Sequence, residues 1–445
     1  MTSASKRIWG WFFFDWASQP YNTLLITFIF APYMNDLLGS GSAAQTVWGY
    51  GIGAAGLCIA LLAPLLGVVA DKAGGRMRFI ALFSGLYVAG AWGLWYAVPG
   101  DFSLIWVMGC FALGLIGMEF ATIFTNAMLP DLGTKEQIGR ISGSGWAFGY
   151  WGGLVSLVLM LFFLAENAQG VTLLGTAPLF GLDAAAREGT RSVGPLTAIW
   201  FAVFMIPFFL WVREPRRAGQ ISIRAALRRA LPDLRQSLRG LPQNRSLFAY
   251  LGSSMFYRDA LNGMYAFGGI YAAGVLGWSV IDVGVFGILA VISGAIFAWL
   301  GGLADSRFGP KPVIALSVLV LAGVAIGVVM VSRTSVFGVA VGPDSALPDI
   351  AFYILGALIG AAGGSLQGAS RTMLVRQSDP AQITENFGLY ALAGKATAFI
   401  APLSIGVVTQ VTGSQQMGII PLIALFLIGL ILLLWVKPDG AGPTA

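Results

Sequence analysis

An apolar run of helical length ends twice in the same short basic turn. The first copy reads Gly67-Val68-Val69-Ala70-Asp71-Lys72-Ala73-Gly74-Gly75-Arg76, the second Gly301-Gly302-Leu303-Ala304-Asp305-Ser306-Arg307-Phe308-Gly309-Pro310-Lys311. Asp71 and Asp305 lie 234 positions apart in a chain of 445, about half its length. Duplication at that period in an apolar chain implies two membrane bundles built on one plan. Charged residues make up only 10% of the chain, against about 25% in soluble domains, so the bilayer is the expected solvent.

A spanning helix needs about 20 mostly apolar residues. Twelve segments qualify: 10–38, 45–70, 79–98, 102–130, 141–165, 195–212, 247–275, 281–304, 312–332, 350–376, 384–411 and 416–436. Of the 26 Lys and Arg residues, 21 fall on one side; Arg187, Arg191 and Arg333 fall in opposite loops, and Arg258 and Lys395 within segments. The positive-inside rule then puts both termini in the cytoplasm, with the chain in the cell inner (plasma) membrane. Topology accounts for the net charge of +6, and nucleic acid is not needed as a partner.

The predicted fold is all-α and integral to the membrane: twelve transmembrane helices in two pseudo-symmetric six-helix bundles, residues 1–212 and 247–437. A basic linker, 213–246, joins them, and 438–445 reads as a disordered tail. In the linker, Leu227, Leu231, Leu234, Leu238 and Leu241 recur at helical spacing beside Arg224, Arg228, Arg235 and Arg239. That is the pattern of an amphipathic helix on the inner leaflet; Pro232 and Pro242 favour the alternative of a solvated linker. The outer loop 166–194 reads as an irregular cap. Lys6 and Arg7 lead directly into the first segment, without a cleavable signal.

The chain has no histidine, and Cys58 and Cys110 sit inside apolar runs. No nucleophile–base pair, phosphate loop or metal-ligand spacing occurs, so neither an enzyme nor a cofactor is expected. Any proton coupling must use carboxylates.

The basic turns resemble the signature between spans 2–3 and 8–9 of the major facilitator superfamily. Gly75 stands where arginine is usual, and the second copy has one extra residue before Gly309. Further stretches are Phe14-Asp15-Trp16-Ala17, Asn126-Ala127-Met128-Leu129-Pro130-Asp131, Gly145-Trp146-Ala147-Phe148-Gly149-Tyr150, Ser370-Arg371-Thr372 and Phe387-Gly388-Leu389-Tyr390. Together they are similar to a bacterial member of the vacuole-effluxer branch, that of the autophagy-related yeast amino-acid permease. The chain departs at Ser18-Gln19-Pro20, where an asparagine–serine pair is usual. The resemblance implies a monomeric carrier whose segments 1, 4, 7 and 10 line a central cavity. It also implies gating by Asp71, Arg76, Asp305 and Arg307, Asp71 facing the inner end of segment 11; turn chemistry and anchoring are the alternative.

A charge at mid-bilayer costs at least ~2.5 kcal/mol. Glu119, Arg258, Asp259 and Lys395 all fall near that depth. Arg258 and Asp259 diverge by about 100° around their helix, so each needs a partner elsewhere. Asp259 and Glu119 are the expected partners of Lys395. Asn22, Asn262 and Gln367 share this depth, and Arg371 closes segment 10. These eight are the candidate solute-binding or coupling residues; a static network that pins helices is the alternative. Tyr21, Tyr257, Tyr265 and Tyr390 are cavity walls or packing, and Asp15 reads as an interfacial structural residue, with solute contact as the alternative. The expected function is alternating-access transport of a small zwitterion, such as an amino acid or short peptide, with proton coupling. The rivals are a carrier of an organic anion, sugar or drug, and a non-transporting assembly factor or sensor.

Overall fold

The computed structural model describes residues 3–39, 41–167, 169–214, 221–278, 280–342 and 344–440. Each of the twelve segments is helical. The first is α1 (Ser3–Pro20), a π-helical stretch Tyr21–Phe28, and α2 (Phe30–Leu38). Pro20 has no N–H to give the ladder, and regular α-geometry stops there. Then come α3 (Gly41–Ala73), α4 (Arg76–Gly93), α5 (Leu104–Asn126) and α6 (Ile138–Leu159). After the short α7 (Glu188–Arg191) of the outer loop, segment 6 is two pieces, α8 (Val193–Phe204) and α9 (Ile206–Trp211), and the linker holds α10 (Ile223–Gly240). Next are α11 (Arg245–Leu276), α12 (Val280–Phe308), α13 (Pro310–Val329) and α14 (Leu347–Gln377). Segment 11 is broken into α15 (Ile383–Ala396) and α16 (Ile400–Thr412), and α17 (Gln415–Gly418) with α18 (Ile420–Leu433) makes the last.

Ten helices among the described residues are long and apolar enough to cross a membrane. Segments 1 and 7 are the more polar pair, with Asp15 and Asn22 in one and Arg258, Asp259 and Asn262 in the other. A three-stranded antiparallel sheet follows α13: β1 (Val331–Ser332), β2 (Ser335–Val336) and β3 (Val339–Ala340). Nothing in the sequence signals it, because two-residue strands carry no period.

Contacts group the chain into two compact units: Met1–Met128 with Phe148–Ala226, and Leu129–Ala147 with Leu227–Ala445. The expected boundaries, 1–212 and 247–437, differ from this at one place above all. Residues 129–147, with the first turns of α6, have their contacts in the second unit.

In the first unit α4 lies on α5 backbone to backbone. A Cβ on Gly90 would collide with the backbone of Gly114, the close approach that small residues allow in membranes. On α1, the Trp11 indole donates to the Thr125 carbonyl at 2.9 Å, and Phe14 packs on Phe201 and Phe208. The Trp200 indole donates to the Trp16 carbonyl at 3.1 Å. The loop 166–194 is irregular but pinned. Buried Glu166 accepts from the amide and hydroxyl of Thr190, at 3.1 and 2.7 Å. Arg187 reaches Asp36 at 2.8 Å.

In the second unit α12 lies equally close on α14, with Gly360 against the Ala290 carbonyl. The Ser253 hydroxyl donates to the Gly429 carbonyl at 2.6 Å, tying α11 to α18. The tail is not wholly disordered as expected. Asp439 pairs with Lys135 at 2.7 Å and Arg376 at 3.5 Å; 441–445 lie outside the described residues. Lys135 holds the Asp439 carboxyl below its usual range by hydrogen bonding.

The linker is helical, and Pro232 sits inside α10. Ala226, Ala230 and Leu234 are buried, while Ile223, Leu227, Leu231 and Leu238 form an exposed stripe beside exposed Arg224, Arg228, Arg235 and Arg239. Leu241 lies past the helix end.

Candidate solute and gating sites

The two basic turns close differently. In the first, Gly74 and Gly75 take positive φ, +65° and +75°. That conformation favours glycine, which accounts for Gly75 in place of arginine. The reversal brings Arg76 onto Asp71 at 2.9 Å, with both side chains almost wholly buried. The linker joins here, as the Ile221 amide donates to the Lys72 carbonyl at 3.1 Å.

In the second turn, Asp305 is fully buried against the first turn of α6. A Cβ on Gly139 would fall 2.5 Å from its carboxyl carbon. Neither carboxylate oxygen makes a hydrogen bond of normal geometry. The free N–H groups of a first helical turn carry partial positive charge, and that field stabilises the carboxylate. The Arg140 amide donates to the Ser306 hydroxyl at 2.8 Å. Arg307 is exposed, its guanidinium over the Phe308 ring. Arg371, expected near solute, is buried and spent on the same stretch. Its Nε and Nη2 donate to the hydroxyl and carbonyl of Ser142, at 3.1 and 2.8 Å, and it lies over Trp146.

The mid-membrane charges of α11 are arranged otherwise than expected. Asp259 does not pair with Lys395. Its Oδ2 accepts from the Ala401 amide at 2.9 Å, at the start of α16. Arg258 lies over the Tyr390 ring, 4.0 Å from its centroid, and donates to the Tyr390 carbonyl at 3.0 Å. Tyr250 stacks beyond it on Tyr390, and Tyr257 bonds the Ser370 hydroxyl at 2.9 Å. Arg258, Asn262 and Tyr265 recur at i, i+4 and i+7, on one face of α11; Asn262 and Tyr265 are exposed and Arg258 half-buried. Lys395 is half-buried on α15, and Gln367 half-buried on α14. In the first unit, Glu119 on α5 and Asn22 in the π-helical stretch are half-buried, and Tyr21 is core, its hydroxyl on the Phe111 carbonyl.

Sequence reasoning missed the carbonyl and amide partners on segment 11. A clue was legible: Thr397 to Pro402 is less helix-favouring than its flanks. Ser142 and the Glu166–Thr190 pair gave no sign.

The family model described as "Vacuole effluxer Atg22 like" matches residues 36–443. The chain belongs to this family. It is 25% identical over 447 residues to the uncharacterized MFS-type transporter YxiO of Bacillus subtilis (strain 168), covering 99% of this chain and 96% of that one. It is 21% identical over 296 residues to Autophagy-related protein 22 of Cryptococcus neoformans var. neoformans serotype D (strain JEC21), covering 65% of this chain and 48% of the fungal protein. Among solved structures, the major facilitator FucP in its outward conformation aligns with a TM-score of 0.73 at 14% identity, over 98% of this chain and 100% of that one. The human organic anion transporter MFSD10 aligns with 0.68 at 16%, over 97% and 100%. The Atg22-like protein is therefore a multi-pass membrane transporter with the major facilitator fold, and family and fold are those of transporters rather than enzymes.

Proposed function

We propose that the protein carries a small zwitterion, an amino acid or short peptide, across the cell inner membrane by alternating access. In this reading both termini are cytoplasmic, the unit is a monomer, and protons drive the flux. The observation that carries it is the stripe Arg258–Asn262–Tyr265 on α11. An asparagine exposed to hydrocarbon is costly, so this face of the helix lines water. Arg258 uses Nη1 on Tyr390 and has further donors in its fork to take a carboxylate. The Asn262 amide offers both a donor and an acceptor beside it.

Asp71 and Asp305 serve as gate residues in this reading. Asp305 holds the first turn of α6 by charge and dipole, and inner opening withdraws that turn. Arg76 and Arg307 keep the basic turns at the inner surface. A thermal-shift screen of the purified protein against amino acids, dipeptides, organic anions and sugars tests the solute class. A ligand of the folded state raises apparent stability by mass action. Stabilisation by amino acids or dipeptides is expected. A response to organic anions or sugars alone would replace the solute class.

A further inference from the structure

Asp259 is 3% exposed. One of its oxygens is satisfied and the other is not. Oδ2 accepts from the Ala401 amide, whereas Oδ1 is buried without a hydrogen-bond partner. Ala401 is the second residue of α16, where amides lack intrahelical acceptors and the helix dipole is positive. Arg258, the preceding residue, grips the other side of the break through the Tyr390 carbonyl and ring. Consecutive residues of α11 thus straddle the interruption at Thr397–Phe399, a cation on the half before it and an anion on the half after it.

We propose that Oδ1 of Asp259 is a proton-binding site and that its occupancy sets the grip of α11 on α16. The proposal deepens the carrier reading and rests on it for the meaning of the coupled proton. An O–H bond forms at Oδ1 with a proton taken from water, and breaks on release. The neutral acid loses its attraction to the α16 dipole and weakens as an acceptor for the Ala401 amide, while Arg258 keeps α15 in place. The first turn of α16 is then free to swing.

A metal ion fits the position poorly. It requires several oxygen ligands, and only one carboxylate oxygen is free. The carbonyls of Ala393, Lys395, Thr397 and Phe399 around the break already accept hydrogen bonds. The charged surroundings are sparse. Helices α16, α17 and α18 carry no ionisable side chain. α15 carries Glu385, Tyr390 and Lys395, and α14 carries Asp349, Tyr353, Arg371 and Arg376. Those of α12 and α13 lie in their terminal turns. On α11 itself, Arg258 donates to Tyr390 through Nη1, and Tyr257 bonds Ser370.

The test uses the purified full-length protein in lipid, without solute. Acidification should raise carboxylic-acid C=O bands in infrared difference spectra, and one of these bands should be missing in Asp259→Asn. Hydrogen exchange in the Phe399–Leu403 peptide, corrected for intrinsic rates, should accelerate about tenfold on acidification in the wild type, the loss of one hydrogen bond of ordinary strength. In Asp259→Asn it should not respond to pH. The full wild-type set of bands in Asp259→Asn, or an exchange response equal in both proteins, overturns the proposal. Should Asp259→Asn fail to fold, Asp259→Glu replaces it: one shifted band supports the site, and an unshifted set overturns it. Because no solute is present, these outcomes are independent of the thermal-shift screen. Failure here beside a positive screen removes the proton site and leaves the carrier reading standing.

Discussion

Arg371→Met should loosen the start of α6. The substitution keeps a long side chain but removes the guanidinium. Two charge-assisted hydrogen bonds to Ser142 are lost, at 3.1 and 2.8 Å, together with the contact 5.1 Å over the Trp146 ring. Hydrogen bonds to charged groups contribute about 1.5–3 kcal/mol each, and a cation–π contact about 0.5–2. These terms share one side chain and do not add fully. The low ends give about 3 kcal/mol, roughly a hundredfold in the opening equilibrium. Hydrogen exchange over residues 138–147 should therefore accelerate by about that factor, while exchange in α18 stays unchanged. Arg371→Lys, which keeps the charge but not the planar fork, should fall between. Unchanged exchange over 138–147 in well-folded Arg371→Met would refute the assignment of this arginine to holding the stretch.

Arg76→Met should strip Asp71 of its buried partner and cost ~3–5 kcal/mol; adding Asp71→Asn should recover most of the lost thermal stability, and failure to recover would mean that the pair is not the source. Gly360→Ala should force α12 from α14, with overpacking of typically ~1–3 kcal/mol, read as a lowered unfolding temperature; an unchanged temperature would show that the helices yield freely. Asp439 is held below the usual carboxylate range by Lys135, so its contribution is present above the unfolded value near ~3.9 and disappears only as pH falls through the depressed folded value. Carboxypeptidase should accordingly release the tail no faster in mildly acid than in neutral buffer, and faster at both in Asp439→Asn.

How much of this was legible in the sequence depends on the kind of signal. Ten of the twelve segments were, because about twenty apolar residues in a row carry their own ruler. The α10 helix was, because leucines at helical spacing beside arginines need no tertiary context. The partners of Asp259 and Arg258 were not. Charge invites a search for opposite charge, and both side chains went instead to backbone: an amide freed by a broken helix and a carbonyl beneath a tyrosine ring. Arg371 misled for the same reason, since its depth was read and its serine and tryptophan partners were not. The allegiance of residues 129–147 was invisible, because a helix that reads as one apolar run gives no sign of where its contacts change.

That allegiance bears on dissection of the chain. A cut in the linker, where a two-bundle plan invites it, leaves Leu129–Ala147 attached to the N-terminal fragment, although its contacts lie with Leu227–Ala445. The C-terminal fragment made alone would bare the carboxylate of Asp305 and the guanidinium of Arg371, both built to be covered by Gly139, Ser142 and Trp146. Synthesis of the N-terminal fragment leaves one strip of chain waiting for a surface that the ribosome makes only some two hundred residues later.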